Sequence, residues 1–208
     1  MKLATLALAV CMAAFTTTTF AQMSPKHGII SASKLPGFEV GEEKTLLNVP
    51  HIRQMPWLCV PTSSAMVLRY HGQKHDPRKL KRLAEQHKPR AKRNRTFTYW
   101  RDMQVALKKV GVNWHVRNYP KTSMGFERGL MAIKTSLRAG NPVLIDVHLG
   151  QGHTFVIMGY DDAKQVVYIR DPDIARRYAR KISYETLRRH WHNHRFHKSR
   201  SAFFSRQS

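Results

Sequence analysis

Two patterns of apolar and polar positions divide the chain. Between residues 60 and 139 the apolar residues recur at helical spacing, and between 143 and 205 they fall in short β-branched and aromatic runs. The first pattern predicts four helices. One covers 60–71, with Pro61 in its first turn, Ala65, Met66, Val67 and Leu68 giving a largely buried surface, and Gly72 as its stop. A second runs from Asp76-Pro77, an N-cap followed by proline at the first helical position, to about His87. A third covers Tyr99 to Val110 and ends at Gly111, and a fourth covers Gly125 to Ala139 and ends at Gly140-Asn141-Pro142. The second pattern predicts strands at 143–148, 153–160 and 165–170, the last two joined as a hairpin through an Asp-rich turn. Shorter strands are expected at 46–52, 112–117 and 201–205, and a short helix from Ser183 to Trp191. Helices first and an antiparallel sheet second is the order of an α+β fold.

The two ends of the chain add a location. Lys2 followed by the apolar run Leu3 to Phe15, with Thr19 and Ala21 before Gln22, has the layout of a secretory signal peptide over residues 1–21. The run is too short to span a bilayer as an anchor. Cys11 sits in a sequence that faintly resembles a lipoprotein cleavage box, but Val10 is too large for the position before it. Residues 22–45 carry Gly, Pro, Ser and mixed charge without periodicity and are expected to form an extended leader; one domain is expected over 46–208. The expectation is an exported protein, periplasmic or secreted. Removal of the first 21 residues takes Cys11 with it and leaves Cys59 as the only cysteine. In an oxidising compartment a single cysteine is a buried thiol, an intermolecular bridge or a reactive nucleophile.

Charge changes the picture of partners. Without Lys2 the chain carries 35 Lys and Arg against 13 Asp and Glu, a formal +22. Such a field attracts anionic envelope polymers or nucleic acid, although a solvated basic surface is the plainer reading of the composition. The densest runs are Lys79 to Arg95 and Arg176 to Arg200. No zinc-finger spacing or RNA-binding aromatic motif is present. His190, His194 and His197 would share a helical face, yet no cysteine or carboxylate completes a tetrahedral set, and neither a metal nor another cofactor is expected.

The chemistry centres on Cys59, which stands at the predicted start of the first helix, where free N–H groups and the helix dipole favour a thiolate. Gln54, five residues upstream, could share an oxyanion hole with the Cys59 backbone N–H. His153 opens the first strand of the hairpin behind Gly150-Gln151-Gly152, and Asp171 closes its partner. If the hairpin loop centres on Asp162, His153 faces Asp171 on one face, about 5 Å apart at Cβ. A slip of one residue would place them on opposite faces. Each residue alone has an ordinary structural reading; together they have the composition of a Cys-His-Asp nucleophilic site.

The segment Val49-Pro50-His51-Ile52-Arg53-Gln54-Met55-Pro56-Trp57-Leu58-Cys59-Val60-Pro61-Thr62-Ser63-Ser64-Ala65-Met66 and its continuation to Gly72 resembles the active-site helix of C39-like peptidases, papain-fold relatives of the bacteriocin-leader peptidases. Gly152-His153-Thr154-Phe155-Val156-Ile157-Met158-Gly159-Tyr160-Asp161-Asp162 through Tyr168-Ile169-Arg170-Asp171-Pro172 resembles their His and Asp segments. Ile182 to Trp191 resembles the helix that often follows, so the resemblance covers residues 49–191. It implies a papain-like cysteine peptidase acting on peptide or protein substrates. In it Gln54 is the oxyanion donor, Cys59 the nucleophile, His153 the base and Asp171 the orienter. Val60 departs from the glycine that usually follows the cysteine, and a β-branched side chain there is expected to narrow the cleft. A non-catalytic papain-fold module that binds an anionic envelope polymer, with Cys59 inert, is the alternative from a different class.

Overall fold

A computed structural model describes residues 43–148, 152–175, 178–192 and 198–205. The expected signal peptide, most of the expected leader, and His194 and His197 of the histidine run lie outside these residues. The described chain runs β1 (Lys44–Leu46), α1 (Cys59–Tyr70), α2 (Pro77–Gln86), a 3-10 turn (Arg90–Lys92), α3 (Trp100–Lys109), β2 (His115–Pro120), α4 (Ser123–Arg138), β3 (Val143–Val147), β4 (His153–Asp161), β5 (Val166–Arg170), β6 (Arg180–Ser183), α5 (Tyr184–His190) and β7 (Ser199–Phe204). The fold is α+β, an antiparallel sheet in the order β2-β7-β3-β4-β5-β6, with β1 paired to the far end of β4.

Local chemistry accounts for the helix boundaries. Asp76 caps α2 by accepting the Lys79 N–H at 2.8 Å, and Thr122 and Ser183 cap α4 and α5 in the same way. Gly72 and Gly111 follow α1 and α3 with φ of 84° and 87°, the left-handed conformation that ends a helix at no steric cost to glycine.

The sheet has an apolar layer on each face. On one face Leu144, Val156, Met158, Tyr168 and Phe203 pack against α1, α2 and α3. On the other, Val143, Ile145, Phe155, Ile157 and Ile169 pack against α4 and α5. This is the strand period of two, read off both faces of a buried sheet. α1 is covered almost all round: every residue from Val60 to Leu68 is buried. Val60 is 5% exposed and packs in this core. It therefore does not narrow the cleft as expected, because the first turn of α1 directs it inward.

Several expected strands shift. The strand expected at 46–52 is β1 at 44–46, which takes in the last two residues of the expected leader, and the one expected at 112–117 is β2 at 115–120. Val112 and Trp114 are buried in the helical core, so their apolar character marks packing and not strand pairing. β6, Arg-Lys-Ile-Ser, carries no strand pattern; it forms because β5 offers a free edge.

Trp191 is fully buried and donates its indole N–H to the Ser201 carbonyl at 2.9 Å. A Cβ added at Gly129 of α4 would lie 2.5 Å from Trp191 Cη2. Gly129→Ala should therefore destabilise the fold, since overpacking a dense core costs about 1–3 kcal/mol and exceeds the helix-propensity gain of about 1 kcal/mol. Chemical denaturation checks this, and the smaller ring of Trp191→Phe should relieve part of the penalty in the double variant.

Candidate active site

The hairpin brings His153 and Asp171 together by a register other than the expected one. Asp161 pairs with Val166, Gly159 with Tyr168, Ile157 with Ile169 and Val156 with Arg170. The loop is 162–165, not centred on Asp162, and a bulge at Met158 shifts the register between Ile157 and Gly159. One step beyond the last pair, Asp171 lies level with Phe155 and two residues from the position opposite His153. An offset of two keeps both side chains on one face as diagonal neighbours. His153 Nε2 and Asp171 Oδ1 stand 2.7 Å apart. Cys59 is the second group whose interaction raises the pKa of the ring. With Nε2 on the carboxylate, Nδ1 is the nitrogen left for the sulfur.

Cys59 is a free, partly exposed thiol at the first residue of α1. The chain enters that helix through a turn closed by the Leu58 N–H and the Met55 carbonyl at 3.1 Å, with Pro56 and Trp57 in the middle. Trp57 has φ of 67°, a conformation that favours glycine. A bulky residue held there stores strain of order 1–3 kcal/mol two residues before the thiol. Ser63, one turn further along α1, donates to the Thr154 carbonyl at 3.1 Å and ties the helix to the strand that starts at His153.

Electrostatics hold the pair charged. Burial lowers the His153 pKa, but hydrogen bonds and charge from Asp171 and Cys59 outweigh it and push the value up to about 10. Burial raises the Asp171 pKa, and the His153 hydrogen bond and charge, the Asp173 N–H and the Arg180 charge together bring it below the usual carboxylate range. At neutral pH the pair is imidazolium and carboxylate.

Gln54 lies on the same approach loop, and its backbone N–H donates to the Pro172 carbonyl at 2.8 Å. Its side-chain amide nitrogen donates to Asp173 Oδ1 at 3.0 Å, and its Oε1 is buried without a partner. One of the two amide hydrogens is therefore engaged with Asp173. Residues around Asp171 complete the support. Asp173 donates its N–H to Asp171 Oδ1 at 3.0 Å, His51 Nε2 lies 3.2 Å from the Asp171 carbonyl, and Arg170 Nε donates to the Val49 carbonyl at 3.0 Å. The Asp-Pro-Asp run was the one legible signal for a turn that locks Asp171. Among the described residues no group of three or more His, Cys, Asp or Glu side chains is placed to hold a metal.

Three comparisons bear on this geometry. The model of the Peptidase C39 like family matches residues 46–199. No curated protein matches the chain. Among solved structures, the peptidase domain of Streptococcus ComA, described as a bi-functional ABC transporter involved in quorum sensing, is 20% identical with a TM-score of 0.54, covering 76% of this chain and 99% of that one. A double-glycine-motif protease from an AMS/PCAT transporter, solved with a leader peptide, is 19% identical with a TM-score of 0.52, covering 78% and 95%. Xylellain, a cysteine protease from Xylella fastidiosa, is 9% identical with a TM-score of 0.51, covering 81% and 87%. At these identities the likeness is one of fold, and the fold is papain-like.

Proposed function

Since the chain belongs to the Peptidase C39 like family of cysteine peptidases, we propose that it is an exported enzyme that cleaves peptide bonds through Cys59, His153 and Asp171. The observation that carries the reading is the His153 ring, 2.7 Å from Asp171 and held protonated by Asp171 and Cys59 together. In this mechanism the Cys59 thiolate attacks the scissile carbonyl, forming a tetrahedral intermediate. His153 gives its proton to the leaving amine, and the thioacyl-enzyme remains. Water, deprotonated by His153, then attacks the thioester; the acid product leaves and the proton returns to the Cys59–His153 pair. The Cys59 N–H and the second amide hydrogen of Gln54 are the donors for the oxyanion. Asp171 holds the ring in one tautomer and stabilises the imidazolium. Export rests on the Lys2–Ala21 pattern; no described helix is long and apolar enough to cross a membrane. The test is a peptide library exposed to the chain and to Cys59→Ala, with products from the first alone.

The basic surface gives this reading a second partner, an anionic envelope polymer. The segment after α2 exposes Arg90, Lys92, Arg93 and Arg95. Its base is anchored by buried carboxylates: Lys88 meets Glu85 and Asp102 at 2.5 and 2.8 Å, and Glu85 accepts the Asn94 N–H at 2.8 Å. Like charges held on a fixed loop form a lasting positive patch. Polyanion binding should weaken as salt rises, because exposed charges are screened over about 8 Å at physiological ionic strength. Turnover of short neutral peptides should change little over the same series. Charge reversal of Lys79, Arg82, Lys92 and Arg95 should reduce the binding alone. Salt-insensitive binding would remove the case for the patch.

A further inference from the structure

Asp146 lies in a polar row that crosses the sheet next to His153. It pairs with Thr154 of β4, the residue after His153. On its other side, one step beyond the pair Ile145 and Ala202, it is level with Ser201 of β7, and Ser201 pairs with Asn118 of β2. Asn118, Ser201, Asp146 and Thr154 thus follow one another across four neighbouring strands. They share the face on which Leu144, Val156 and Phe203 pack, the face that carries α1 with Cys59 and α3 with Trp100. Thr154 and Ser201, the two neighbours of Asp146 in the row, are buried, Asp146 is partly buried and Asn118 is exposed.

The neighbours of Asp146 direct their hydrogen bonds elsewhere. Ser201 Oγ donates to Asn118 Oδ1 at 2.8 Å, and Thr154 Oγ1 accepts from the Trp100 indole at 3.4 Å. Asp146 has no hydrogen bond or ion pair among the described residues. This sets it apart in a chain with 36 Lys and Arg. The other described carboxylates each hold a donor: Glu85 and Asp102 hold Lys88, Asp161 holds Lys164, Asp162 holds Lys134, and even Asp173 holds the Gln54 amide. A partly buried carboxylate without a donor is costly to retain unless something outside the chain completes it.

We propose that Asp146 is a specificity-determining residue of the peptidase, and that it receives a positively charged side chain, lysine or arginine, of a substrate residue flanking the scissile bond. The position fits the role. Asp146 is one strand and one residue away from His153, so a group that meets it belongs to a residue next to the bond under attack. Its own electrostatics agree. Burial raises its carboxyl to about 7, opposed by the charge on His153. An incoming cation would draw it fully to the carboxylate and gain a desolvated ion pair. The inference rests on the peptidase reading, and its test separates the two.

The test uses a cleavable neutral peptide with a single lysine, norleucine or glutamate placed in turn at the two positions on each side of the scissile bond. At one position wild type should favour lysine over norleucine by tenfold or more in kcat/KM, and Asp146→Asn should bring that ratio close to one. Asp146→Lys should turn the preference at that position towards glutamate. Binding of the same peptides to Cys59→Ala, followed by calorimetry, reads the ratio without turnover. A ratio near one at all four positions in wild type, or a lysine preference that survives Asp146→Asn, overturns the proposal. So does an Asn variant that slows every peptide equally while moving the pH profile, since Asp146 would then act through His153. Absence of any Cys59-dependent product sinks the peptidase reading instead, and the binding ratio still decides the role of Asp146.

Discussion

Cys59→Ala is expected to abolish peptide hydrolysis while leaving the fold in place. Loss of the nucleophile from a coupled site costs about 10⁶-fold in kcat in the serine-protease precedent, and the residual rate comes from binding and oxyanion donors alone. The reason the fold should survive is local. Cys59 is the first residue of α1 and partly exposed, so shortening it opens no sealed cavity. Alanine is also the best helix former, which offsets the small amount of packing that the sulfur provides. The melting temperature should therefore move little, and circular dichroism of the variant checks it. The substitution also removes one of the two groups that raise the His153 pKa. The imidazole of Cys59→Ala should thus titrate below its wild-type value, an NMR observation independent of turnover. Near wild-type hydrolysis by the variant would end the proposed mechanism.

His153→Ala should be nearly as damaging, and Asp171→Asn less so by about two orders of magnitude, because it removes orientation and charge but keeps the base. pH dependence distinguishes the roles. The His153 proton is held to about pH 10, so the alkaline limb of the wild-type rate should lie well above neutrality. In Asp171→Asn the partner that raises that value is gone, and the limb should move down. The same pair sets a stability window. His153 has a folded pKa above its ordinary 6.5, so its contribution is full below pH 6.5 and is lost as pH rises through about 10. Asp171 has a folded pKa below its ordinary 3.8, so its contribution is present above 3.8 and is lost as pH falls through the folded value. Urea midpoints across pH should decline at both ends in wild type and flatten in Asp171→Asn. An unmoved alkaline limb in that variant would mean that another group carries the His153 proton shift.

What the amino-acid order determined by itself is local. Asp76-Pro77 begins α2 because a side-chain acceptor and a proline both satisfy a helix start within three residues. The unbroken β-branched and aromatic runs within 143–147 and 153–161 mark strands covered on both faces, since each face meets its own helices. Cys59 at the head of α1 follows from the apolar run behind it and the proline in its first turn. Tertiary structure decided whatever depends on a partner distant in sequence. β6 has no pattern of its own and exists because β5 has an unpaired edge. The bulge at Met158 reset the hairpin, so Asp171 reached His153 along a diagonal and not straight across. Gln54 was placed on its loop by sequence, but its engagement with Asp173 required residues more than a hundred positions apart to meet. Asp146 reads in the chain as one polar residue in an apolar strand; only the packing of four strands put it next to His153 and left it without a donor among the described residues, because hydrogen bonding and desolvation are properties of neighbours in space.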